Sequence, residues 1–584
     1  MSNNRNLGNI ATAITNATSG QVLTSQGSGV ATFVNAGGGV TTYANKAAID
    51  AVSSPSEGDL AFDEDKNVLY IRAASAWERI QHGGNVGPQF TTTPASTLAL
   101  SSSGSTSTIT AAAVDEDGFP VTYDWDGISG STVYTASSLP NQITNVSESN
   151  GVFTLTPSTN NSHAGSFIFR TKASDGAQVS TATTNVSLAF EPVWTTGSQQ
   201  AKIQSSDIAA GDNFGYGVSL SPDGNTAVIG SPNDNTNTGA VYVFIRSGTT
   251  WTQHSKLVAN DAAQDSYFGR SVSLSGNGNY LIVGSPYTDT SGTDDGSAYI
   301  FVRDISNNTW SQQSKLLASN AEASDYFGGQ VTMNFDGTYV AINATGEDTG
   351  ASNAGSVYIF ARSGSSWSQQ AILQSPDIAV NHFFGISIDI NSDASYLIVG
   401  ERSAVSGVSY AGAAYIFTRS GSTWTQQAKL VAPNPTAYAS FANTVRINSD
   451  ATIAAMRETP SADGSVYIFT RSGSSWSQEA QITVGTSSSQ FGFNIDLSDD
   501  GVFLLVGARR DSTTASDGGA VYIFKRSGTS WTQQIKFESS DVEASDFFGS
   551  YIALSGNGYT AIIGVNSEDT GGSNAGSAYV FQSG

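Results

Sequence analysis

Hydrophobic and polar positions repeat in one order seven times between residues 194 and 581. Each copy has a Phe-Gly pair with a short alternating stretch, a polar turn, an unbroken apolar run and an aromatic stretch, and a Trp follows in six copies. The leading aromatic residues lie 50 to 59 positions apart, at Phe214, Phe268, Phe327, Phe384, Phe441, Phe491 and Phe548, and Ala442 replaces the Gly after Phe441. A period of this length without helical spacing indicates a repeated all-β unit.

Each copy predicts four short strands. The Phe-Gly pair opens the first strand, and the unbroken apolar run, such as residues 280–284, predicts a second strand that is buried on both faces. The aromatic stretch, such as residues 241–244, predicts the third strand, and the Trp begins the fourth. Four antiparallel strands in about 50 residues match one blade of a β-propeller. Seven copies therefore predict a seven-bladed propeller.

The two ends of the array complement each other. The last copy ends after its third strand at Phe581, without a fourth. A matching segment occurs at the start of the array, where residues 199–203 (QQAKI) correspond to residues 533–537 (QQIKF). We expect this N-terminal strand to close the propeller, because pairing the two ends removes open sheet edges.

Three segments precede the propeller, which we assign to residues 191–584. Residues 1–39 are low in charge and rich in Gly, Ser, Thr and Asn, which predicts either an attachment arm that is ordered against a partner or an unattached terminus. Residues 40–85 predict a small β-rich module, with a helical start at residues 45–52. Residues 86–190 have the length and the alternating strands of one β-sandwich.

Charge restricts the classes of partner. The chain has 25 Lys and Arg against 49 Asp and Glu, a formal charge of −24, which argues against binding to nucleic acid or to an anionic membrane. No apolar run reaches the ~20 residues of a membrane span, so we expect no membrane insertion. Residues 1–20 lack the pattern of a secretory signal, which predicts a protein that is made in the cytoplasm without a signal peptide. The absence of Cys excludes disulfides and thiolate metal sites.

Residues for catalysis are not apparent. No set of residues has the spacing of a nucleophile beside a base, of paired carboxylates or of a metal site, so we expect neither enzyme activity nor a cofactor. The four His residues, at positions 82, 163, 254 and 382, share no pattern. An Arg recurs after the third strand of six copies, and a structural role is expected for it because equivalent positions in different blades point in different directions: Arg246, Arg303, Arg362, Arg419, Arg471 and Arg526.

Loops are the better candidates for function. The loops between second and third strands differ most among the copies, and on a propeller they share a face with the segments before each Phe-Gly pair. Their polar and aromatic side chains suit a polar ligand such as a glycan. The candidate ligand-binding residues are Asp234, Tyr287, Asp289, Asp294, Asp348, Tyr410, Asp511 and Asp569. The alternative is that these loops only keep the propeller soluble.

Two parts of the chain resemble known domain families. The Phe-Gly pairs, Val-Gly-Ser-Pro at residues 283–286 and Gly-Ser-Ala-Tyr-Ile-Phe at residues 296–301 resemble the FG-GAP repeat of integrin-type propellers, over about two thirds of the chain. Many such repeats hold calcium between the first two strands, but only short turns such as residues 221–225 stand there, so calcium is not implied. Residues 86–190 resemble immunoglobulin-like and cadherin-like spacers. In cadherin-like domains acidic loops hold calcium, which implies Asp115, Asp117 and Asp175 as ligands, with a solvated turn as the alternative.

The N-terminal segments bear most on function. Residues 20–37 (GQVLTSQGSGVATFVNAG) and 58–80 (GDLAFDEDKNVLYIRAASAWERI) resemble modules near the N-termini of phage virion and tail-fibre proteins, especially of marine phages. The resemblance implies a structural protein of the virion that is anchored to other virion proteins by its N-terminal region and presents the propeller to a host-surface receptor or glycan. Phage fibres are commonly trimers, so it also implies a homo-oligomer. A capsid or collar decoration protein and a bacterial cell-surface adhesin are the alternatives.

Overall fold

The computed structural model describes residues 87–583 and six strands between residues 21 and 79. Its gaps after residue 87 are residues 101–104, 116–119, 130–131, 136–137, 159–164, 177, 189–191, 193, 195–197, 405–407, 460–462 and 486–488. The chain divides into two units, Met1–Glu191 and Pro192–Gly584. The helical start predicted at residues 45–52 lies outside the described residues.

The first unit begins with two small sheets. Strands β1 (Gln21–Gln26) and β2 (Val30–Asn35) pair as an antiparallel hairpin in which Leu23 lies opposite Phe33. A four-stranded sheet follows, in which β3 is parallel to β4 and the other pairs are antiparallel: β3 (Thr41–Tyr43), β4 (Leu60–Asp63), β5 (Val68–Arg72) and β6 (Trp77–Arg79).

The rest of the first unit consists of β-sheets around one core. Its strands are β7 (Gln89–Thr92), β8 (Thr97–Leu100), β9 (Ser107–Thr110), β10 (Ala112–Val114), β11 (Thr122–Ser129), β12 (Thr132–Tyr134), β13 (Ile143–Ser149), β14 (Val152–Pro157), β15 (Gly165–Ser174) and β16 (Val179–Leu188). They form a five-stranded sheet in the order β12-β11-β15-β16-β8, a three-stranded sheet β13-β14-β9 and the pair β10-β7. Trp125 stacks on Phe169 in the core between the larger sheets, with ring centroids 4.9 Å apart.

The second unit contains seven four-stranded antiparallel sheets, as the repeat predicts. Their strands in chain order, one sheet at a time, are β18 (Gly217–Leu220), β19 (Thr226–Ser231), β20 (Ala240–Ser247) and β21 (Thr250–Leu257); β22 (Ser271–Leu274), β23 (Tyr280–Ser285), β24 (Ser297–Asp304) and β25 (Thr309–Leu316); β26 (Val331–Met333), β27 (Tyr339–Ala344), β28 (Ser356–Ser363) and β29 (Ser366–Leu373); β30 (Phe384–Ile390), β31 (Tyr396–Glu401), β32 (Ala413–Ser420) and β33 (Thr423–Leu430); β34 (Val445–Ile447), β35 (Ile453–Glu458), β36 (Ser465–Ser472) and β37 (Ser475–Ile482); β38 (Phe491–Leu497), β39 (Phe503–Ala508), β40 (Ala520–Ser527) and β41 (Ser530–Phe537); and β42 (Tyr551–Leu554), β43 (Thr560–Val565) and β44 (Ser577–Gln582) with β17 (Ser198–Ile203). A short turn, in which Asn235, Thr236 and Asn237 have left-handed backbones, lies between β19 and β20.

The sheets surround a common centre. The first strand of each sheet contacts the first strand of the next, and β42 contacts β18. The second strands are buried on both faces, as the apolar runs predict; Leu281, Ile282 and Val283 of β23 are each fully buried. This arrangement of seven radial sheets is that of a β-propeller.

The seventh sheet combines the two ends of the unit. Strand β17 pairs antiparallel with β44, with Ala201 opposite Val580 and Lys202 opposite Tyr579. The ammonium group of Lys202 donates hydrogen bonds to Asp541 (2.7 Å) and Glu568 (2.8 Å), which ties β17 to segments more than 300 residues later in the chain. Just before β17, Trp194 is fully buried and donates from Nε1 to the Gly558 carbonyl at 2.8 Å.

The prediction that each Phe-Gly pair opens a strand is correct for only two sheets. Strands β30 and β38 begin at Phe384 and Phe491, whereas elsewhere the Phe precedes the first strand. Where the first strand starts depends on the second strand of the preceding sheet. In five sheets the penultimate residue of that second strand is Gly. A Cβ at one of these, Gly284, would lie 2.0 Å from the Gly328 carbonyl oxygen, so the Phe-Gly segment of the next blade lies directly against it. In the sheets that precede β30 and β38, Asn343 and Arg457 replace this Gly. The Phe-Gly segment of the next blade cannot approach these larger residues as closely, and it remains extended as part of the first strand.

Candidate binding site at the mouth of the central channel

The loops of one face are held by paired left-handed residues. The residue before each Phe of the repeat has a positive φ, for example 57° at Tyr326 and 55° at Phe383. In six of the seven copies its backbone N–H donates to the carbonyl of a residue in the preceding sheet's second loop that is also left-handed, as Tyr326 does to Asp294 (3.1 Å) and Ser440 does to Tyr410 (3.3 Å). Two of the predicted ligand residues, Asp294 and Tyr410, therefore hold backbone positions that join neighbouring blades.

Three predicted aspartates stabilise the same connections. Asp289, Asp348 and Asp569 each accept a hydrogen bond from the backbone N–H five residues later, at 2.8, 2.6 and 2.7 Å. The donors, Asp294, Asn353 and Asn574, are left-handed residues whose carbonyls accept the hydrogen bonds from the next blade. These carboxylates thus act within their own loops.

Asp234 and Asp511 are buried in polar clusters with Tyr and Lys. The Tyr242 hydroxyl donates to Asp234 at 2.6 Å and the Lys256 ammonium group at 2.8 Å. Burial would raise the pKa of Asp511, but hydrogen bonds from Thr513, Tyr522 and Lys536 outweigh it and hold this pKa below its ordinary value. Both carboxylates are at least 95% buried, and their contacts connect the third and fourth strands of one blade.

The central channel is a cavity of about 580 Å³ that is lined by the first strands of all seven sheets. One residue position of these strands links neighbouring blades by a hydrogen bond. Its side chain accepts from a backbone N–H of the next blade, that of the residue directly after the equivalent position. Ser219 accepts from Leu274 (3.1 Å), Ser273 from Met333 (3.1 Å), Asp389 from Ile447 (2.9 Å) and Asp496 from Leu554 (2.7 Å). These bonds satisfy backbone donors that face the channel without a strand partner.

Three charged residues lie at this level of the channel. The Arg446 guanidinium group is 3.3 Å from Asp496, and Asp389 occupies the equivalent position in the preceding blade. Burial raises the pKa of Asp389 to about 6, although Arg446 acts to lower it. Burial also raises the pKa of Asp496, although Arg446 acts to lower this pKa as well. One guanidinium group therefore serves two carboxylates in the channel.

Tyr287 is the predicted residue that lies at the channel mouth. Its ring packs edge-on against the rings of Tyr267 and Tyr326, and the ring centroids are 5.1 and 5.5 Å from its own. The Arg270 guanidinium carbon lies 5.4 Å from the Tyr287 centroid and 5.1 Å from that of Tyr216. The structure brings none of the other seven predicted residues into the lining of this cavity.

Two further arginines flank one aromatic ring of the mouth. The guanidinium carbons of Arg509 and Arg457 lie 3.7 and 5.1 Å from the Phe493 centroid, and Phe493 lines the cavity. Arg402, at the position equivalent to Arg509 two blades earlier, lies 4.5 Å from the Phe383 centroid. Burial and the neighbouring Arg509 lower the pKa of Arg457 to about 10. At these distances a cation is attracted electrostatically to the face of an aromatic ring.

The recurrent turn arginines have the structural role expected of them. Arg362, for example, donates from Nε to the Gly337 carbonyl at 2.7 Å, and its guanidinium carbon lies 4.1 Å from the Tyr280 ring of the preceding blade. Arg419 and Arg471 repeat this arrangement. The turn arginines and the mouth arginines are therefore separate sets.

The remaining candidates form no metal-ligand group in the described part of the chain. No group of three or more His, Cys, Asp and Glu residues is placed there to hold a metal ion. Asp175 accepts a hydrogen bond from the Gln178 N–H at 2.6 Å, Asp115 lies at the end of its strand, and Asp117 lies outside the described residues. His382 forms a buried pair with Glu401 (2.8 Å) and His254 contacts Ser255 (2.8 Å), whereas His82 and His163 are also outside the described residues.

Sequence reasoning missed the mouth because its arginines break the repeat instead of following it. Arg457 stands where the other second strands have Gly or Asn, and Arg402 and Arg509 directly follow that strand where other copies have Pro, Thr or Asn. An Arg at a position that is otherwise small was the available signal.

None of the helical segments among the described residues is long and apolar enough to cross a membrane.

Comparisons with known proteins agree with the repeat. The family model described as FG-GAP repeat matches residues 198–244, 251–301, 310–360, 367–417, 476–524 and 531–581. Each match runs from a fourth strand through the third strand of the next sheet, and the copy from β33 through β36, with Phe441-Ala442, has no match. No curated protein matches the sequence.

Several solved structures are similar to the chain at low identity. Hydrazine synthase from Kuenenia stuttgartiensis is 11% identical with a TM-score of 0.41, over 62% of this chain and 96% of that one. Sqt1 from Saccharomyces cerevisiae is 10% identical with a TM-score of 0.37, over 66% and 98%. The Dos1 propeller is 12% identical with a TM-score of 0.38, over 67% and 95%. Since the six matched segments cover about half of the sequence, the protein belongs to the FG-GAP repeat family.

Proposed function

We propose that this protein is a structural protein of a phage virion, of the tail-fibre class, which is anchored through its N-terminal region and presents its propeller as a host-binding head. The observation that carries the binding role is the channel mouth, where Arg270, Arg402 and Arg509 lie against aromatic rings on the loop face. Such a surface offers charged donors and flat apolar faces together, which suits a polar host-surface ligand such as a glycan.

The frame of this face supports binding without catalysis. Left-handed residue pairs and loop aspartates fix the loops to neighbouring blades, so the mouth side chains are held on a rigid scaffold. Rigid presentation lowers the conformational entropy lost on binding. In this proposal β17 closes the propeller by completing the last blade, and residues 86–190 act as an immunoglobulin-like or cadherin-like spacer.

The virion assignment depends on the resemblance of residues 20–37 and 58–80 to phage fibre modules. These segments contain β1, β2, β4, β5 and β6, short strands in small sheets, which accords with modules completed by neighbouring virion proteins or by other copies of the chain. A trimer is the homo-oligomer that the fibre class favours.

Adsorption to host cells tests the proposal. The purified full chain is expected to bind cells of the host strain and to block adsorption of the phage, with a strain that the phage does not adsorb to as the control. A protein that binds neither strain and leaves adsorption unchanged would contradict the receptor-binding role and favour a capsid or collar decoration. Export of the chain to the surface of a bacterium that carries its gene without a phage would favour an adhesin.

A further inference from the structure

The mouth arginines lack the carboxylate partners that the lysines of the fourth strands have. Five lysines each lie 3.0 Å or less from an Asp or Glu: Lys202, Lys256, Lys315, Lys429 and Lys536. Among the described residues, Arg270, Arg402, Arg457 and Arg509 form no ion pair, although the chain has 49 acidic residues. The positive charge of the mouth is therefore left for something outside the chain.

Arg457 is the most informative of the four. Its residue is 4% exposed and its Nε has no hydrogen-bond partner in the described part of the chain. A buried, unpaired charge lowers stability and is retained when another group compensates it. The charged residue that acts on its pKa, Arg509, has the same sign and makes the burial less favourable.

Packing alone does not account for Arg457. The equivalent Asn343 satisfies its side chain by donating to the Gly385 carbonyl at 2.8 Å, and the other five blades have Gly. A small or neutral residue therefore fits this position between blades. The guanidinium group adds a donor and a charge beside Phe493, which lines the channel, although Arg457 itself is not part of the lining.

We propose that the mouth binds an acidic glycan, with a carboxylate or sulfate group of one sugar held by Arg457 and Arg509 and the sugar ring placed against the neighbouring aromatic side chains. Planar guanidinium groups bind carboxylate and sulfate oxygens in pairs of hydrogen bonds, and aromatic faces pack against the apolar face of a sugar. The inference rests on the proposed function and names the class of ligand at the same face.

Calorimetric titration of the full chain with defined oligosaccharides tests the ligand class. The probes are a mannuronate hexasaccharide for the carboxylate, a heparin hexasaccharide for the sulfate and maltohexaose as the neutral control. We expect binding of at least one acidic probe and none of maltohexaose. Failure of both acidic probes to bind overturns the inference, as does equal binding of maltohexaose.

Two matched variants locate the site. Arg509→Gln should weaken binding of the acidic probe by about 30-fold or more, the usual loss when one partner of a buried charge pair is removed. Lys525→Gln removes the same charge from β40, where the ammonium group lies 5.8 Å from Phe503 and away from the channel lining, and should change the affinity less than about twofold. Equal losses in the two variants would indicate general charge attraction and contradict a site at the mouth.

Arg457→Met separates binding from packing, because Met keeps an apolar stem without the charge. The variant should lose affinity for the acidic probe while the melting temperature of the ligand-free protein stays equal or rises. A lower melting temperature with unchanged affinity would assign Arg457 to packing and overturn its role in binding.

Cell binding distinguishes the inference from the function on which it rests. Host cells that bind Arg509→Gln as well as the unchanged protein would overturn the acidic-glycan site and leave the host-binding role intact. An unchanged protein that binds the acidic probe and no host cell would contradict the proposed function and leave the acidic-glycan site standing.

Discussion

Single residues with left-handed backbones determine how the loop face is assembled. Gly296 has a φ of 85°, and a Cβ there would lie 2.2 Å from the Phe327 carbonyl oxygen of the next blade. Gly248, in the turn between β20 and β21, has a φ of 61° and open space around the Cβ position. The two glycines thus share a conformation but differ in their surroundings.

This difference gives a direct prediction for stability. Gly248→Ala should lower the free energy of unfolding by about 1 kcal/mol, the cost of a left-handed Ala. Gly296→Ala should lower it by about 3 kcal/mol or more, because the methyl group also forces two blades apart. Urea unfolding of both variants measures the difference, and equal losses would mean that the close approach between blades does not matter for stability.

Asp389 predicts a dependence of stability on pH. Burial and the charge of Asp496 raise its pKa to about 6, although Arg446 acts to lower it. The folded channel therefore favours the neutral form of Asp389 more than the unfolded chain does. A carboxyl group with a raised pKa stabilises the fold below its ordinary pKa, and this contribution is lost as pH rises through the folded value. Asp389→Asn should therefore gain stability relative to the unchanged protein between pH 4 and pH 7, on the order of 1 kcal/mol.

The control for this prediction is Asp393 in the following turn. Burial acts to raise the pKa of Asp393, but hydrogen bonds from Ser395 and Asn391 hold it below its ordinary value. Its contribution to stability is present above the ordinary pKa and is lost as pH falls. Asp393→Asn should thus be most destabilising near neutral pH, the opposite trend, and parallel pH profiles for the two variants would contradict the account of the channel.

At the scale of elements, the sequence predicted the second, third and fourth strands well because their apolar runs are long and regular. The starts of the first strands were predicted less well. Whether Phe-Gly belongs to the strand depends on a residue of the preceding blade, such as Gly284 or Arg457, about 40 residues earlier in the chain. A local pattern does not contain that information, since it arises from the contact between sheets.

Strand β17 gives a prediction at this scale. A chain that begins at residue 192 keeps the strand that pairs with β44, whereas a chain that begins at residue 204 removes it, together with the hydrogen bonds of Lys202. The shorter chain should melt at least several degrees lower, because it loses a half-buried strand and exposes the edge of β44. Equal melting temperatures would show that β17 does not hold the two ends together.

For the whole molecule, the count of seven sheets followed from the repeat, including the copy with Phe441-Ala442 that the family model does not match. The sequence predicted the loop face as the candidate ligand-binding face, and the eight ligand residues proposed on it stay a prediction. Seven of the eight predicted ligand residues form turns, bridges between blades or Tyr-Lys clusters, and Tyr287 lies at the mouth. Asp and Asn recur in these loops because they adopt left-handed conformations and cap turns, which composition alone does not distinguish from ligand binding.

The mouth itself arises from the contacts between the first strands of successive sheets around a common centre. Arg270, Arg402 and Arg509 occur in different blades and at positions that are not all equivalent, so no spacing along the chain brings them together. Only the radial arrangement of the sheets places them at one opening. The chemistry of the face is thus a property of the whole propeller and not of any one repeat.

Labelling of the propeller on intact phage particles tests the central claim most directly. An antibody against residues 192–584, coupled to gold and imaged by electron microscopy on the phage whose genome encodes this chain, should mark the tail or the tips of its fibres. Label spread over the capsid would contradict a host-binding head and indicate decoration, and particles without any label would contradict the virion assignment itself.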